Sequence, residues 1–107
     1  MEVDYESVEA VRRLHRVQWK ENEGFGLTYL PFIIHAVAQS LAEFPRINAS
    51  INDTDLVIHD EINIGVAVDL DFEGLVVPVI REVDQLPLTE LARQIVHVAE
   101  QARACLL

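Results

Sequence analysis

The sequence predicts an α+β domain, two layers with helices on a sheet, in the order α–α–β–β–β–β–α. Three observations carry that prediction. Apolar residues recur at three and four through the N-terminal stretch ending at Phe44, short continuous β-branched runs fill residues 47–80, and the helical spacing returns after Pro87. The chain has 107 residues and a mass of 12.1 kDa. With 50% hydrophobic and 24% charged residues it has the composition of one globular domain, or a piece of one, rather than of a disordered segment.

A first helix is predicted over about 5–22. Asp4, or Ser7 in competition with it, offers an N-cap. Val8, Val11, Leu14 or His15, and Gln18 or Trp19 fall at helical spacing. Glu6 and Glu9 sit in the first turn, and Arg12, Arg13, Arg16 and Lys20 come later, which suits the helix dipole. Gly24 and Gly26 end the helix. A second helix is predicted over about 28–44, with Thr28 as its cap and Pro31 in the first turn, where its missing N–H costs nothing. Leu30, Ile33, Ile34, Val37, Leu41 and Phe44 form its stripe; His35, Gln39 and Glu43 form the opposite face. Pro45 stops it.

Ile47–Ile51 and Leu56–Ile58 are short β-type runs. Residues 62–70 (INIGVAVDL) and 74–80 (GLVVPVI), joined by Asp71, Phe72 and Glu73, read as a hairpin. Both are apolar on consecutive positions, the pattern of strands covered on two faces. Pro78 marks an edge, a bulge or a break in pairing. A third helix follows over about 87–104, opened by Pro87. Leu88, Leu91, Ala92, Ile95, Val98, Ala99 and Ala102 face inward, and Glu90, Gln94, His97 and Gln101 outward.

There are 18 acids against 8 Lys and Arg, a formal net charge of −10. That disfavours nucleic acid, whose binding rests on cations that neutralise phosphates, and it disfavours an anionic membrane surface. The acidic N-terminus has no apolar signal-peptide core, and no run approaches a membrane span, so the expected compartment is the cytoplasm. The single cysteine, Cys105, excludes an internal disulfide and a Cys-rich zinc site, and reads as a terminal thiol.

His15, His35, His59 and His97 are dispersed, without the paired spacing of a metal helix, so no metal is expected. Ser7, Ser40 and Ser50 lack a nucleophile elbow. Asp53, Asp55, Asp60 and Glu61 lack the glycine and terminal glutamate of a calcium loop and read as solvated turns. Asp69 and Asp71 follow an apolar strand where the chain leaves the sheet; a carboxylate there either fixes a ligand or caps the hairpin turn. Arg13 lies beside the apolar stripe of the first helix, where it either grips a phosphate or snorkels at the surface.

Pro31-Phe32, Pro45-x-x-Asn48-Ala49, Asn63-Ile64-Gly65 and Gly74-Leu75-x-Val77-Pro78 occur in that order. Together they make the whole chain, from Glu2-Val3-Asp4 onward, resemble the N-terminal half of the catalytic domain of dihydrolipoyl acyltransferase (E2) components of 2-oxo acid dehydrogenase complexes. The resemblance implies half of a chloramphenicol acetyltransferase-like fold and transfer of an acyl group from a dihydrolipoyl thioester to coenzyme A, the lipoyl group being carried on a separate domain. By position it implies coenzyme A contacts at Arg13, Thr28 and Asp69. A further contact, often Gln in the family, falls near Ala99, which cannot make that hydrogen bond.

The family's general base lies in a His-x-x-x-Asp-Gly motif and its oxyanion hydroxyl in a Thr-x-Ser-Asn segment. Neither motif occurs in these residues. The chain alone is therefore expected to be inactive, because thioester exchange needs a positioned base for the thiol proton. The implied partners are further copies of the chain, as a trimer or swapped dimer, and the second half of the domain or other subunits of a complex. The alternative function is a non-catalytic binding or assembly module on the same scaffold.

Overall fold

A computed structural model describes residues 1–105, with side chains through Ala104. The expected terminal thiol of Cys105 lies outside the described side chains. Helices α1 (Glu6–Glu23), α2 (Leu30–Glu43) and α3 (Leu88–Cys105) match the predicted helices to within about two residues. Their capping differs from expectation. Tyr5 and Tyr29 occupy the N-cap positions without side-chain cap bonds. Thr28 thus stands one residue too early to cap α2. Asp4 is also one residue early, yet its Oδ1 accepts a hydrogen bond from the Glu6 N–H at 2.9 Å. Gly24 ends α1 as expected, with φ 81°, its N–H bonded to the Lys20 carbonyl at 3.0 Å.

Six short strands follow α2 and a 3₁₀ turn at Pro45–Ile47: β1 (Ala49–Asn52), β2 (Asp55–Ile58), β3 (Ile64–Gly65), β4 (Val68–Asp69), β5 (Leu75–Val76) and β6 (Val79–Ile80). The single sheet expected from sequence is three two-stranded antiparallel ladders, β1–β2, β3–β6 and β4–β5. The last two share one register, Ile64 opposite Ile80 and Val68 opposite Val76, and form the predicted long hairpin. Its pairing lapses opposite Pro78. The Val66 N–H donates to the Pro78 carbonyl at 2.9 Å, but proline has no N–H to return the bond.

The core gathers Ile34 and Ala38 of α2, Leu91 and Ile95 of α3, Ile62 and Ile80 of the long hairpin, and Val83 from a second 3₁₀ turn at Val83–Gln85. Two-sided cover of the hairpin is not observed. Ile62, Val68 and Ile80 are buried, while Leu75, Val77 and Val79 on the opposite face stay at least half exposed. That face is left largely open within the described chain, so consecutive apolar residues here mark one covered face and one mostly bare one.

The α1 stripe is also corrected. Val8 and Trp19 are half-buried, Val11 and Leu14 are exposed, and the helix buries no residue at all. On α2, Ile34 and Ala38 turn inward, whereas Ile33, Val37 and Phe44 are exposed. The β1–β2 hairpin stands off the core, with Ile51 81% exposed. The shape follows. The radius of gyration is 15.9 Å where a compact chain of this length has about 13 Å. The accessible surface is 7982 Å² where a compact protein of this mass exposes about 6,000 Å².

Candidate functional site

The densest polar cluster forms where α1 crosses the segment leading into α2. Glu9, in the first turn of α1, meets Arg12 one turn later because residues three apart share a helix face. The pair is bidentate, Arg12 Nε to Glu9 Oε2 at 2.8 Å and Nη2 to Oε1 at 2.9 Å. Arg12 Nη1 also donates to the Leu27 carbonyl at 3.3 Å. Its guanidinium lies over the Tyr29 ring, 5.1 Å from the centroid. The Tyr29 hydroxyl donates to Glu9 Oε2, and Tyr5 stacks on the Tyr29 ring at 5.3 Å.

The charges respond to this geometry. Hydrogen bonds from Arg12 first, then from Tyr29, hold the Glu9 carboxyl down at about 2, against an ordinary 4.5. The same carboxylate raises the Arg12 guanidinium and the Tyr29 phenol above their usual values. Arg12 is thereby committed to Glu9, Leu27 and Tyr29.

Arg13, the predicted phosphate contact, points away. Its side chain is 71% exposed and reaches Glu9 Oε1 only at 3.5 Å. It is the less committed guanidinium beside the cluster. Thr28 lies between Leu27 and Tyr29, both of which touch Arg12, so it faces solvent close to α1. Asp69 is placed elsewhere, on β4 opposite Leu75, exposed, with its Oδ1 accepting from the Phe72 N–H at 3.4 Å. Among the described residues, no hydrogen bond or ion pair joins any two of Arg13, Thr28 and Asp69. Ala99 is half-buried on α3.

Sequence reasoning missed the Glu9–Arg12–Tyr29 cluster. The Glu9–Arg12 spacing was a legible signal; Tyr29 was not, being 20 residues away from Glu9. It also missed the pairing of Ser50 with His59, whose Nε2 lies 2.8 Å from the Ser50 Oγ across the β1–β2 hairpin. No carboxylate bonds that imidazole among the described residues, so the pair is not a catalytic triad.

Among the open clefts, three have mainly apolar linings. A groove of about 520 Å³ runs between the N-terminal segment and α2, past Val3, Tyr5, Val8, Ile33 and Val37. A cleft of about 370 Å³ lies between the hairpin and α3, at Val77, Pro78, Val98 and Ala102. A third, about 230 Å³, lies under α1, lined by Trp19, Leu27, Phe32 and Leu88 among others. Among the described residues, no three His, Cys, Asp or Glu side chains gather as a metal site. No described helix is long and apolar enough to cross a membrane.

Comparison with known proteins gives the class. The family model of the 2-oxoacid dehydrogenases acyltransferase (catalytic domain) matches residues 1–107, and the chain belongs to that family. It is 36% identical over 102 residues to the dihydrolipoyllysine-residue succinyltransferase component of the 2-oxoglutarate dehydrogenase complex of Bartonella vinsonii subsp. berkhoffii, covering 95% of this chain and 25% of that one. It is 36% identical to the lipoamide acyltransferase component of the branched-chain alpha-keto acid dehydrogenase complex of Bacillus subtilis, covering 96% and 24%.

Among solved structures, a probable dihydrolipoamide acetyltransferase from Listeria monocytogenes superposes with a TM-score of 0.93 at 36% identity, over 100% of this chain and 45% of that one. The dihydrolipoamide acetyltransferase of Azotobacter vinelandii gives 0.88 at 39%, over 97% and 43%. The chain thus spans about a quarter of those curated relatives and just under half of the two solved chains. Its α+β architecture is part of the acyltransferase fold.

Proposed function

We propose that this chain is the N-terminal half of a dihydrolipoyl acyltransferase core, serving a 2-oxo acid dehydrogenase complex of the cytoplasm. In that core an acyl group passes from a dihydrolipoyl thioester, borne on a separate domain, to coenzyme A. The superposition at TM-score 0.93 and 36% identity is the observation that carries this reading. The relatives include a succinyltransferase and a branched-chain acyltransferase at equal identity, so the acyl group is left as a class.

Arg13, Thr28 and Asp69 are proposed as coenzyme A contacts. The exposed Arg13 guanidinium presents a fork of donors suited to a phosphate. Thr28 adds a hydroxyl beside the start of α2. Asp69 accepts from neutral donors of the ligand and repels its phosphates. The test is an NMR titration of coenzyme A into the wild type and Arg13→Ala. Shifts clustered near residues 13, 28 and 69, weakened by salt and lost in the variant, support the assignment. Shifts elsewhere, or shifts unchanged by Arg13→Ala, overturn it. Without a general base the chain alone is expected to show no acyl transfer; turnover at family-like rates that is abolished by His59→Ala would refute that.

A second reading, a non-catalytic assembly module on the same scaffold, is favoured by the uncovered apolar surface. The accessible surface exceeds that of a compact chain by roughly 2,000 Å², the scale of a stable protein interface. Both readings share one expectation, that the chain associates with further copies, as a trimer or swapped dimer, or with the rest of the core. Light scattering at micromolar concentration that finds a single 12.1 kDa species would count against self-association.

A further inference from the structure

Helix α1 is held to the rest of the chain in an unusual way. It is 18 residues long and buries none of them. Val11, Leu14 and Val17 are exposed by 48%, 79% and 65%. Its apolar attachment is slight, half-buried Val8 and Trp19, the latter edge-on to Phe25 at 6.0 Å, and its strongest attachments are polar. At the N-terminal end Arg12 donates to the Leu27 carbonyl, and Glu9 accepts from Tyr29. At the C-terminal end Glu23 takes a bidentate pair from Arg93 of α3, with Nε at 2.9 Å and Nη2 at 2.7 Å. Helices α2 and α3 differ in kind, since both bury residues in the common core.

We propose that α1 is a detachable arm, which leaves the body as one unit while α2, α3 and the long hairpin stay folded, and that the Glu23–Arg93 pair is its latch. The physical reason is the difference in what each separation exposes. Parting α2 from α3 bares Ile34, Leu91 and Ile95, and so costs the full hydrophobic term. Parting α1 from the body bares Trp19 and the lining of the 230 Å³ cleft, Leu27, Phe32 and Leu88, and rehydrates two polar clusters, but it leaves the common core closed. Segments with few buried apolar contacts open below the global free energy.

The latch is well made for its place. The Glu23 side chain is only 14% exposed, Arg93 is 52% exposed, and the fork is two-pronged. Arg93 holds the Glu23 carboxyl below its ordinary 4.5, so the pair is charged at neutral pH. Gly24, in the left-handed region directly after α1, gives the arm a hinge beside its latch. The arm carries Arg13 while the body carries Thr28, so opening separates two of the proposed coenzyme A contacts. That consequence rests on the proposed function; the arm itself does not.

The test uses the intact chain and two readouts. Trp19 is the only tryptophan, it rides on α1, and it lines the cleft beneath. Its acrylamide quenching therefore reports opening, and hydrogen exchange reports each helix separately. In the wild type the α1 amides should exchange ahead of those of α2 and α3. Glu23→Gln should speed α1 exchange about two- to five-fold, the range of a partly exposed ion pair, raise Trp19 quenching, and leave Ile34 and Ile95 unchanged. The reversed pair Glu23→Arg with Arg93→Glu should restore slow α1 exchange. Equal protection of all three helices in the wild type overturns the proposal. So does acceleration of all three alike in Glu23→Gln, or an α1 rate that ignores both variants.

Discussion

Phe72 sits where a phenylalanine is expensive. The long hairpin turns through Asp71 and Phe72, both with positive φ, 53° and 67°. The Leu70 carbonyl accepts from the Glu73 N–H at 3.1 Å, which closes a tight turn of the kind that suits Asn-Gly or Asp-Gly. Phe72 is fully exposed, so its ring contributes no burial to offset the strain. An L-residue in the left-handed region costs about 1–2 kcal/mol, which Phe72→Gly removes. Glycine costs about 0.5–1 kcal/mol in added unfolded-state freedom. The net gain is about 0.5–1 kcal/mol, or a rise in Tm of roughly 3–6 °C for a chain of this size. The Phe72 N–H that bonds Asp69 is backbone and survives the substitution. Urea and thermal unfolding of wild type, Phe72→Gly and Phe72→Ala would measure it. Alanine keeps a Cβ and should gain little. If Phe72→Gly is no more stable than Phe72→Ala, the strain is not where the backbone places it.

Three further outcomes are expected. Leu91 is fully buried between α2 and the hairpin, so Leu91→Ala should cost about 2–5 kcal/mol in urea unfolding; a loss below 1 kcal/mol would mean a core that collapses around the gap. A Cβ at Gly65 would lie 2.8 Å from Val77 Cγ1, so Gly65→Ala should destabilise by about 1–3 kcal/mol through overpacking, and the double variant with Val77→Ala should recover part of it. Glu9 should titrate near pH 2 by carboxyl NMR, against an ordinary 4.5. Because its folded value is depressed, its stabilising contribution is complete above pH 4.5 and drains away as pH falls towards 2. Glu9→Gln should lack that part of the acid destabilisation, and a Glu9 midpoint at its ordinary value would contradict the Arg12–Tyr29 geometry.

The helices were legible because their signals are local. Three-and-four spacing, the glycine after α1, and the prolines at 31 and 87 bracket them to within about two residues. The break at Pro78 was legible for the same reason, since the missing N–H is a property of one residue. The candidate site was legible only in part. Arg13 and Asp69 stood out by position, and the capping alternative for Asp69 anticipated its bond to Phe72. Which of two adjacent arginines is committed was beyond the sequence, because the choice rests on Leu27 and Tyr29 arriving beside Arg12.

What the sequence determined by itself, then, is which stretches are helical or extended and which of their faces are apolar, since periodicity and turn chemistry act over a few neighbouring residues. Which apolar face is covered was decided only by tertiary structure. Ile34 and Ile33 are chemically alike and adjacent, yet one lies in the core and the other is open to solvent. Val76 and Val77 divide less sharply across the hairpin, the first half-buried and the second exposed. Burial depends on which distant segment arrives opposite, and that is a property of the packed chain that no local pattern of side chains contains.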